Sequence, residues 1–300
     1  MASVLDRLPE GARVAVIRLR SLGDCVLTTP ALALLKESRP DLKIAVVVED
    51  RFRRVFEQSP VVMKTLPAEL GSIARFRPQL TLNFHGGTRS QWMTAASLAP
   101  LRAGFGHHTG SWLYNVPIPR AQQIFGEERI VHTAEHMASA MFYLGVPRQE
   151  IPRAQLFCQQ NSKRPPYAIF HPTASAASKA WPADRFVQIA NRLHCLVPVF
   201  IGGPGENLSA FSSFECHAGI PLDQIFSLMQ SASLFVGNDS GPAHTAAAFG
   251  VPSVVLFGPS NPCIWAPWRT KAEVVHAPNG LAQITVERVH CAIDKLRNDA

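Results

Sequence analysis

Short apolar runs of strand length alternate with segments of helical spacing along the first half of the chain. The predicted strands are residues 12–19, 43–48 and 80–84, and the predicted helices cover roughly residues 24–38, 89–99 and 133–144. A stretch with four prolines, residues 145–166, then interrupts this pattern as a linker would.

The alternation restarts after the linker. The predicted strands are residues 167–171, 196–202, 234–236 and 253–257, and the predicted helices are residues 183–193, 222–231, 242–249 and roughly 283–297. Strands that alternate with helices at this spacing indicate parallel sheets covered on both faces. The sequence therefore predicts the α/β class, with two Rossmann-like doubly wound domains, residues 1–160 and 161–300, that face each other across a cleft.

Composition is that of a globular protein, because 47% of the residues are hydrophobic and 17% are charged. No apolar run is long enough to span a bilayer, and acidic residues stand where a signal peptide would be basic or apolar. The six cysteines are scattered without a C-x-x-C pair, which is typical of reduced thiols and argues against a cysteine zinc site. We expect a cytoplasmic protein.

Positive charge is concentrated in the first half. The net charge is +6 for residues 1–160 and +1 for residues 161–300. An anionic partner of the first half and an ordinary solvated surface both explain this asymmetry. Nucleic acid is the weaker candidate, because no recognition motif accompanies the charge.

Four strand-to-helix corners carry candidate chemistry. At the first, residues 18–24, Asp24 opens a helix, where it could be an N-cap or a general base. At the second, residues 171–182, small hydroxyl residues and Lys179 precede a helix, a combination that favours phosphate. The lysine could equally be an exposed loop cation.

The other two corners extend the same chemistry. Residues 201–206 form a glycine turn followed by Glu206, whose carboxylate could accept two hydroxyl protons from a ribose. Residues 237–244 combine Asp239, Ser240 and His244 with glycines at a helix N-terminus, and a capping aspartate with a satisfied histidine is the alternative.

Two further patterns favour a structural interpretation. Residues 132–136 match H-x-x-E-H, an inverted zinc-protease pattern, but a polar helix face explains them better than zinc. Cys25 beside Asp24 could be a nucleophile, but no histidine lies near it in sequence. We interpret it as a small apolar helix residue. The chain contains no D-x-D, the usual carboxylate pair for a metal–diphosphate complex.

Taken together, the motifs resemble those of the bacterial lipopolysaccharide heptosyltransferases, glycosyltransferase family 9. The segments that carry the resemblance are residues 21–24, 28–32, 82–90, 179–182, 238–244 and 256–262. The resemblance implies the GT-B architecture, with the acceptor bound mainly by the first domain and the nucleotide sugar by the second. It also implies that the last helix, about residues 283–297, packs back on the first domain.

The resemblance further implies an inverting, metal-independent transfer of heptose from ADP-heptose to the lipid A–Kdo inner core, with no cofactor. Asp24 would be the catalytic base, and Lys179 would stabilise the departing diphosphate. The implied donor-binding residues are Thr173, Ser175, Glu206, Ile220, Asp239, Ser240, Gly241 and His244. The implied acceptor-binding residues are Arg20, Gly23, Gly86, Gly87, Thr88 and Arg89.

Two alternatives stay open from the sequence. One is a nucleotide-sugar-binding paralogue that has lost transfer, and the other is an enzyme of the same architecture that acts on a different nucleotide sugar. The basic first half suits an anionic acceptor at the inner face of the cytoplasmic membrane, to which we expect peripheral attachment.

Overall fold

The structure, a computed structural model, describes residues 2–159, 164–174, 176 and 179–298. The chain divides into two compact units, residues 1–155 and 156–300. This division lies within the proline-containing stretch that the sequence suggests as a linker, close to the predicted boundary after residue 160. None of the helices in the described ranges is long and apolar enough to cross a bilayer.

The first unit is built around a parallel sheet of six strands. Its elements are β1 (Arg13–Ile17), α1 (Leu22–Ser38), β2 (Lys43–Val48), α2 (Arg54–Glu57), β3 (Lys64–Pro67), α3 (Leu70–Phe76), β4 (Leu80–Asn83), α4 (Thr88–Ala96), β5 (Leu101–Phe105), β6 (Val116–Ile118), α5 (Ala121–Phe125) and α6 (Thr133–Leu144). The strand order is β3-β2-β1-β4-β5-β6.

The second unit repeats this plan. Its elements are β7 (Tyr167–His171), α7 (Ala183–Arg192), β8 (Val197–Gly202), β9 (Glu215–Ala218), α8 (Leu222–Gln230), β10 (Leu234–Asn238), α9 (Gly241–Phe249), β11 (Ser253–Phe257), α10 (Pro262–Trp265), β12 (Ala272–His276) and α11 (Val286–Asn298). The strand order is β12-β11-β10-β7-β8-β9, all parallel.

Both orders are the Rossmann order, in which the chain moves outward from the first strand and then returns to its other side. The order reverses between β1 and β4 in the first unit and between β7 and β10 in the second. Ligands of such sheets bind beyond the carboxyl ends of the strands at this switch point. The predicted α/β class with two Rossmann-like units is confirmed. A ligand site is therefore expected at the loops after β1 and β4 in the first unit and after β7 and β10 in the second.

Aromatic packing supports the loop after β7. The Phe170 ring stacks on Phe200 with centroids 4.9 Å apart, and Phe200 stacks on Phe211 at 4.3 Å. Trp181, at the far end of the loop, is 2% exposed and donates its indole N–H to the Ile284 carbonyl at 2.9 Å. The loop is therefore anchored to a rigid core at its end.

The last helix packs in the core of the second unit. The buried side chains Val286, Val289, Ile293 and Leu296 of this segment belong to the same apolar cluster as Phe170. Packing of this helix against the first unit stays a prediction.

The strands that the sequence pattern did not predict include all four edge strands, β3, β6, β9 and β12. Their residues alternate between buried and exposed, or are mostly exposed, as in β9 and β3. The predicted strands β1, β2, β4, β7, β10 and β11 are almost entirely buried and therefore read as continuous apolar runs.

Candidate active site

The corner after β1 holds Asp24 by both carboxylate oxygens. Its Oδ2 accepts hydrogen bonds from the Ser21 backbone N–H at 3.3 Å and from the Ser21 hydroxyl at 3.0 Å. Ser21 is the N-cap of α1, so the alternative of Asp24 as the N-cap is wrong, and Asp24 lies three residues inside the helix. About a quarter of its side chain, 27%, stays exposed, which leaves the carboxylate accessible to a substrate.

Arg18 holds the other oxygen from the protein interior. Its Nη1 lies 3.5 Å from Asp24 Oδ1, and its side chain is only 6% exposed. Nη2 contacts the Met137 sulfur at 3.1 Å. Burial lowers the pKa of the Arg18 guanidinium, and the neighbouring Asp24 charge opposes that shift. A buried cation thus fixes the orientation of a partly exposed carboxylate.

The loop after β4 is held by the buried amide of Asn83. Its Oδ1 accepts hydrogen bonds from the backbone N–H groups of His85 at 3.0 Å and Gly86 at 3.1 Å. Its Nδ2 donates to Ser90 and Thr94 of α4 at 3.1 and 3.0 Å. One side chain therefore sets the conformation of the loop and the start of α4.

The predicted acceptor-binding residues lie at or beside these two corners. Gly86 has φ +74°, Gly87 is the N-cap of α4, and Thr88 is exposed at the first helical position. Arg89 is bonded to the Glu49 carboxylate at 3.3 Å and to the Ala68 carbonyl. Arg20 is exposed before the first corner and Gly23 is buried within α1.

Four histidines collect along the same edge of the sheet. The rings of His107 and His108 lie 4.7 Å apart, and His107 lies 5.7 Å from His136, which stacks on Phe105 at 4.0 Å. Burial, followed by neighbouring charges, lowers the pKa of His108 to about 4 and that of His136 to about 4. Burial and the Arg18 charge also lower the pKa of His85. This edge thus presents neutral imidazoles near the carboxylates of Asp24 and Glu49.

In the second unit, buried His171 at the end of β7 connects three corners. Its Nε2 lies 3.1 Å from the Thr173 hydroxyl and 3.6 Å from Glu206 Oε2, and its Nδ1 lies 3.1 Å from the Ser240 hydroxyl. Glu206 also accepts from the Gly203 backbone N–H at 2.6 Å and from the Thr173 hydroxyl. The neighbouring His171 ring is the largest cause that lowers the pKa of Glu206 to about 2, followed by the Thr173 hydroxyl. Glu206 is therefore an ionised acceptor at any physiological pH.

Lys179 and Asp239 form the charged part of this site. Burial raises the pKa of Asp239, which a hydrogen bond from Ser260 and the charge of Lys179 partly oppose. Lys179 is half-buried at the end of the loop after β7, where its backbone N–H donates to the Ala176 carbonyl at 2.9 Å. A cation and a carboxylate thus lie beside the N-terminus of α9.

Asn238 ties the loop after β7 to β10. It is fully buried, accepts a hydrogen bond from the Trp181 backbone N–H at 3.1 Å, and donates to the Pro172 carbonyl at 2.8 Å. The Lys179 loop is consequently fixed at both ends by one amide.

The remaining donor-binding candidates surround this site. Ser240 is the N-cap of α9 and Gly241 its first residue, while His244 is buried one turn further on, 6.4 Å from the Trp265 ring. Ile220 is half-buried directly after Gly219, whose N–H bonds to the Gly202 carbonyl at 2.9 Å. Ser175 lies outside the described residues.

The two patterns interpreted as structural have structural contacts. His132 caps α6 by accepting from the Ala134 N–H at 3.1 Å, and Glu135 binds Arg129 at 2.7 Å. In the described ranges, no group of three or more histidine, cysteine or acidic side chains has the arrangement of a metal site. Burial raises the pKa of the Cys25 thiol to about 12, so it is no nucleophile at neutral pH.

Three residues that organise these sites were not predicted as site residues from the sequence: Arg18, His171 and Asn238. Each is the last residue of a buried strand or follows it directly. A polar residue that ends an otherwise apolar run is the signal that could have identified them, because parallel strands end at the ligand edge of the sheet.

The chain has two Rossmann-like units with polar and charged side chains at each switch point, and this fold is that of the GT-B class of α/β proteins. Within that class the family is also clear. The family model described as "Glycosyltransferase family 9 (heptosyltransferase)" matches residues 77–292 of the chain. The chain therefore belongs to this family of glycosyltransferases.

Individual relatives agree with this assignment. Lipopolysaccharide heptosyltransferase 3 of Escherichia coli is 25% identical over 302 residues, which cover 83% of this chain and 84% of that protein. A family 9 glycosyl transferase from Veillonella parvula superposes with a TM-score of 0.85 at 21% identity, covering 96% and 98% of the two chains. Escherichia coli heptosyltransferase WaaC, solved with ADP-2-deoxy-2-fluoro heptose, gives a TM-score of 0.78 at 18% identity, covering 94% and 99%.

Proposed function

We propose that this protein transfers heptose from ADP-heptose to the inner core of lipopolysaccharide, a lipid A–Kdo acceptor, with inversion at the anomeric carbon. Family membership supports the reaction class, and the names of the relatives support the sugar and the acceptor. The observation that carries the proposal is that the first unit has a doubly held, partly exposed carboxylate and the second unit has a site with Lys179, Asp239 and Glu206.

The proposed chemistry follows from these residues. Asp24 removes the proton from an acceptor hydroxyl as that oxygen attacks the anomeric carbon. The bond from that carbon to the diphosphate oxygen breaks on the opposite face, and its electron pair leaves with ADP. Lys179 and the free N–H groups at the start of α9 stabilise the negative charge that develops on the diphosphate.

The other donor-site residues bind and orient. Glu206, ionised and held by two donors, accepts the two ribose hydroxyl protons, and Ile220 covers the adenine. Asp239 accepts hydrogen bonds from the sugar, while Thr173, Ser175, Ser240, Gly241 and His244 line the phosphates. Metal independence is part of the proposal, because the sequence lacks the D-x-D pair and offers Lys179 in its place.

The acceptor side is proposed on the first unit. The neutral imidazoles of the site edge and the exposed Arg20 would contact the anionic acceptor beside Asp24. We further propose that the protein works at the cytoplasmic face of the inner membrane, where a lipid acceptor is available, and that the last helix also packs on the first unit.

The direct test uses the purified chain with ADP-heptose and a Kdo–lipid A acceptor, in the presence of EDTA. The proposal predicts ADP release that EDTA does not reduce, and thermal stabilisation by ADP-heptose but not by UDP- or GDP-sugars. Stabilisation by ADP-heptose without any ADP release would instead identify a binding paralogue. Preferential stabilisation by another nucleotide sugar would identify a different donor.

A further inference from the structure

One continuous stretch, more than a third of the first unit, contains no acidic residue. From residue 70 to residue 126 there is no aspartate or glutamate. The same stretch contains five arginines: Arg75, Arg77, Arg89, Arg102 and Arg120. It folds as α3, β4, α4, β5, β6 and α5, so the positive charge of the unit is collected on neighbouring elements.

Four large apolar side chains of this stretch are exposed: Leu70 at the start of α3, which is 49% exposed, and three on or after α4. Trp92 on α4 is 59% exposed, Leu98 in the turn after α4 is 83% exposed, and Trp112 between β5 and β6 is 79% exposed. Indole and leucyl side chains in water are costly, and clustered ones usually mark an interaction surface. Trp92, Leu98 and Trp112 are called the aromatic patch below.

Hydrogen bonds join the segments that carry the patch. Arg102 donates to the Ala99 carbonyl at 2.9 Å and to the Leu113 carbonyl at 3.1 Å, so one guanidinium links the neighbours of Leu98 and Trp112. Helix α4 contacts the turn at residues 111–113. The Arg102 guanidinium therefore fixes the segments that carry Leu98 and Trp112 to each other.

The patch begins close to the proposed acceptor loop. Trp92 follows Thr88 by four residues along α4, about 6 Å of helix rise. Arg89 lies in the same helix between them and is ion-paired with Glu49. A ligand held by the patch would therefore lie about one helical turn from the loop after β4.

We propose that the aromatic patch and its surrounding arginines dock the protein on an anionic lipid bilayer. Tryptophan prefers the membrane–water interface, and arginine is attracted to anionic headgroups beside it. The proposal rests on the proposed function in one respect, since an enzyme with a lipid acceptor has to reach a membrane surface.

Other occupants fit the surface less well. A second copy of the chain would bring two faces rich in arginine together, which is electrostatically unfavourable. Nucleic acid would satisfy the arginines but would leave the exposed Leu98 without an apolar partner.

The test compares binding to vesicles of phosphatidylethanolamine and phosphatidylglycerol with binding to phosphatidylcholine vesicles, at low and at 0.5 M salt. We expect at least tenfold stronger binding to the anionic vesicles at low salt, and most of it lost at high salt. The variant Trp92→Ser/Leu98→Ser/Trp112→Ser should bind at least tenfold more weakly. Ile130→Ser/Tyr143→Ser is the matched control, since these exposed apolar residues lie outside the acid-free stretch, and it should change binding less than twofold.

A measurement on the unaltered protein keeps the test independent of the variants. Vesicles with brominated acyl chains should quench its tryptophan fluorescence, and no quenching would overturn the proposal. Tighter binding of an oligonucleotide than of the vesicles, or a dimer that the triple variant abolishes, would also overturn it. Transfer to a delipidated acceptor should persist in the triple variant; if the unaltered protein binds vesicles but transfers nothing, the proposed function fails and the docking surface stands.

Discussion

At the scale of single residues, the most informative feature is how Asp24 is held. Ser21 binds one oxygen through two donors, and Arg18 approaches the other from the interior. A base in transfer must present a fixed oxygen to the acceptor hydroxyl, because a small misplacement costs much of the rate. Arg18 is therefore a positioning residue in this account.

Replacing Arg18 with methionine should lower kcat about 10- to 100-fold and leave the ADP dissociation constant unchanged, because the proposed donor contacts lie in the second unit. The melting temperature should fall by a few degrees, since removing one partner of the ion pair leaves the partly exposed Asp24 carboxylate without its cation. Steady-state kinetics and calorimetry check both expectations.

Arg18→Lys is the matched variant, because it keeps a cation in the same position. It should recover most of the lost rate. Equal loss of rate by both substitutions, accompanied by an equal fall in melting temperature, would show that Arg18 has only a packing role.

At the scale of elements, the loop after β4 depends on close approach at Gly86. Its φ is +74°, and a Cβ placed there would lie 2.5 Å from the His108 ring. The histidine packs directly on the loop backbone, so the loop and the imidazole cluster form one unit of structure.

Gly86→Ala should therefore lower the free energy of unfolding by about 2–4 kcal/mol and weaken acceptor binding. The strain of a positive φ and the clash with the His108 ring both destabilise the folded state. Gly126→Ala is the control: its φ is +75° and the space around it is open, so only the strain of about 1 kcal/mol applies. Urea unfolding measures both. Equal losses in the two variants would mean that His108 moves away without cost.

The elements also show what the sequence can and cannot predict. Central strands such as β1 and β10 are buried on both faces, and their apolar runs predict them well. Edge strands such as β9 face solvent, so their residues follow no apolar run. The sequence could still provide four candidate site residues, because each follows a strand at a glycine-containing or helix-opening corner. These residues are Asp24, Lys179, Glu206 and Asp239.

The supporting residues could be located at strand ends, but their contacts could not be predicted from the sequence. Arg18 lies buried against Met137, which is more than a hundred residues away in sequence. His171 connects the Glu206 and Ser240 corners, which meet only once the strand order is known. Such contacts depend on the topology of the sheet, and local patterns carry no information about it.

At the scale of the whole molecule, charge and titration differ between the two units. The first carries nearly all of the net positive charge and a cluster of histidines whose burial keeps them neutral. The second has a nearly balanced charge and holds its key carboxylate, Glu206, ionised.

This distribution predicts loss of stability in mild acid. In the unfolded chain histidines titrate near pH 6.5, whereas folded His108 and His136 have pKa values of about 4. Between these values the unfolded chain binds more protons, so the free energy of unfolding falls as pH decreases from 6.5 towards 4. The loss should reach about 1 kcal/mol per histidine at pH 5, after allowance for partial exposure.

Urea unfolding at pH 7.5 and pH 5 tests this. His136→Gln should reduce the difference between the two pH values, whatever its effect at neutral pH. His194→Gln, at an exposed position in the second unit, should leave the difference unchanged. An undiminished acid sensitivity in His136→Gln would exclude the imidazole cluster as its origin.

The central claim is that Asp24 is the base for a donor bound by the second unit. Single-turnover transfer by Asp24→Asn tests it most directly, with ADP affinity measured on the same sample. The account predicts a rate at least a hundredfold lower and an unchanged ADP dissociation constant, since general base catalysis contributes about 10²–10⁴-fold. Transfer within a few-fold of the unaltered protein would contradict it.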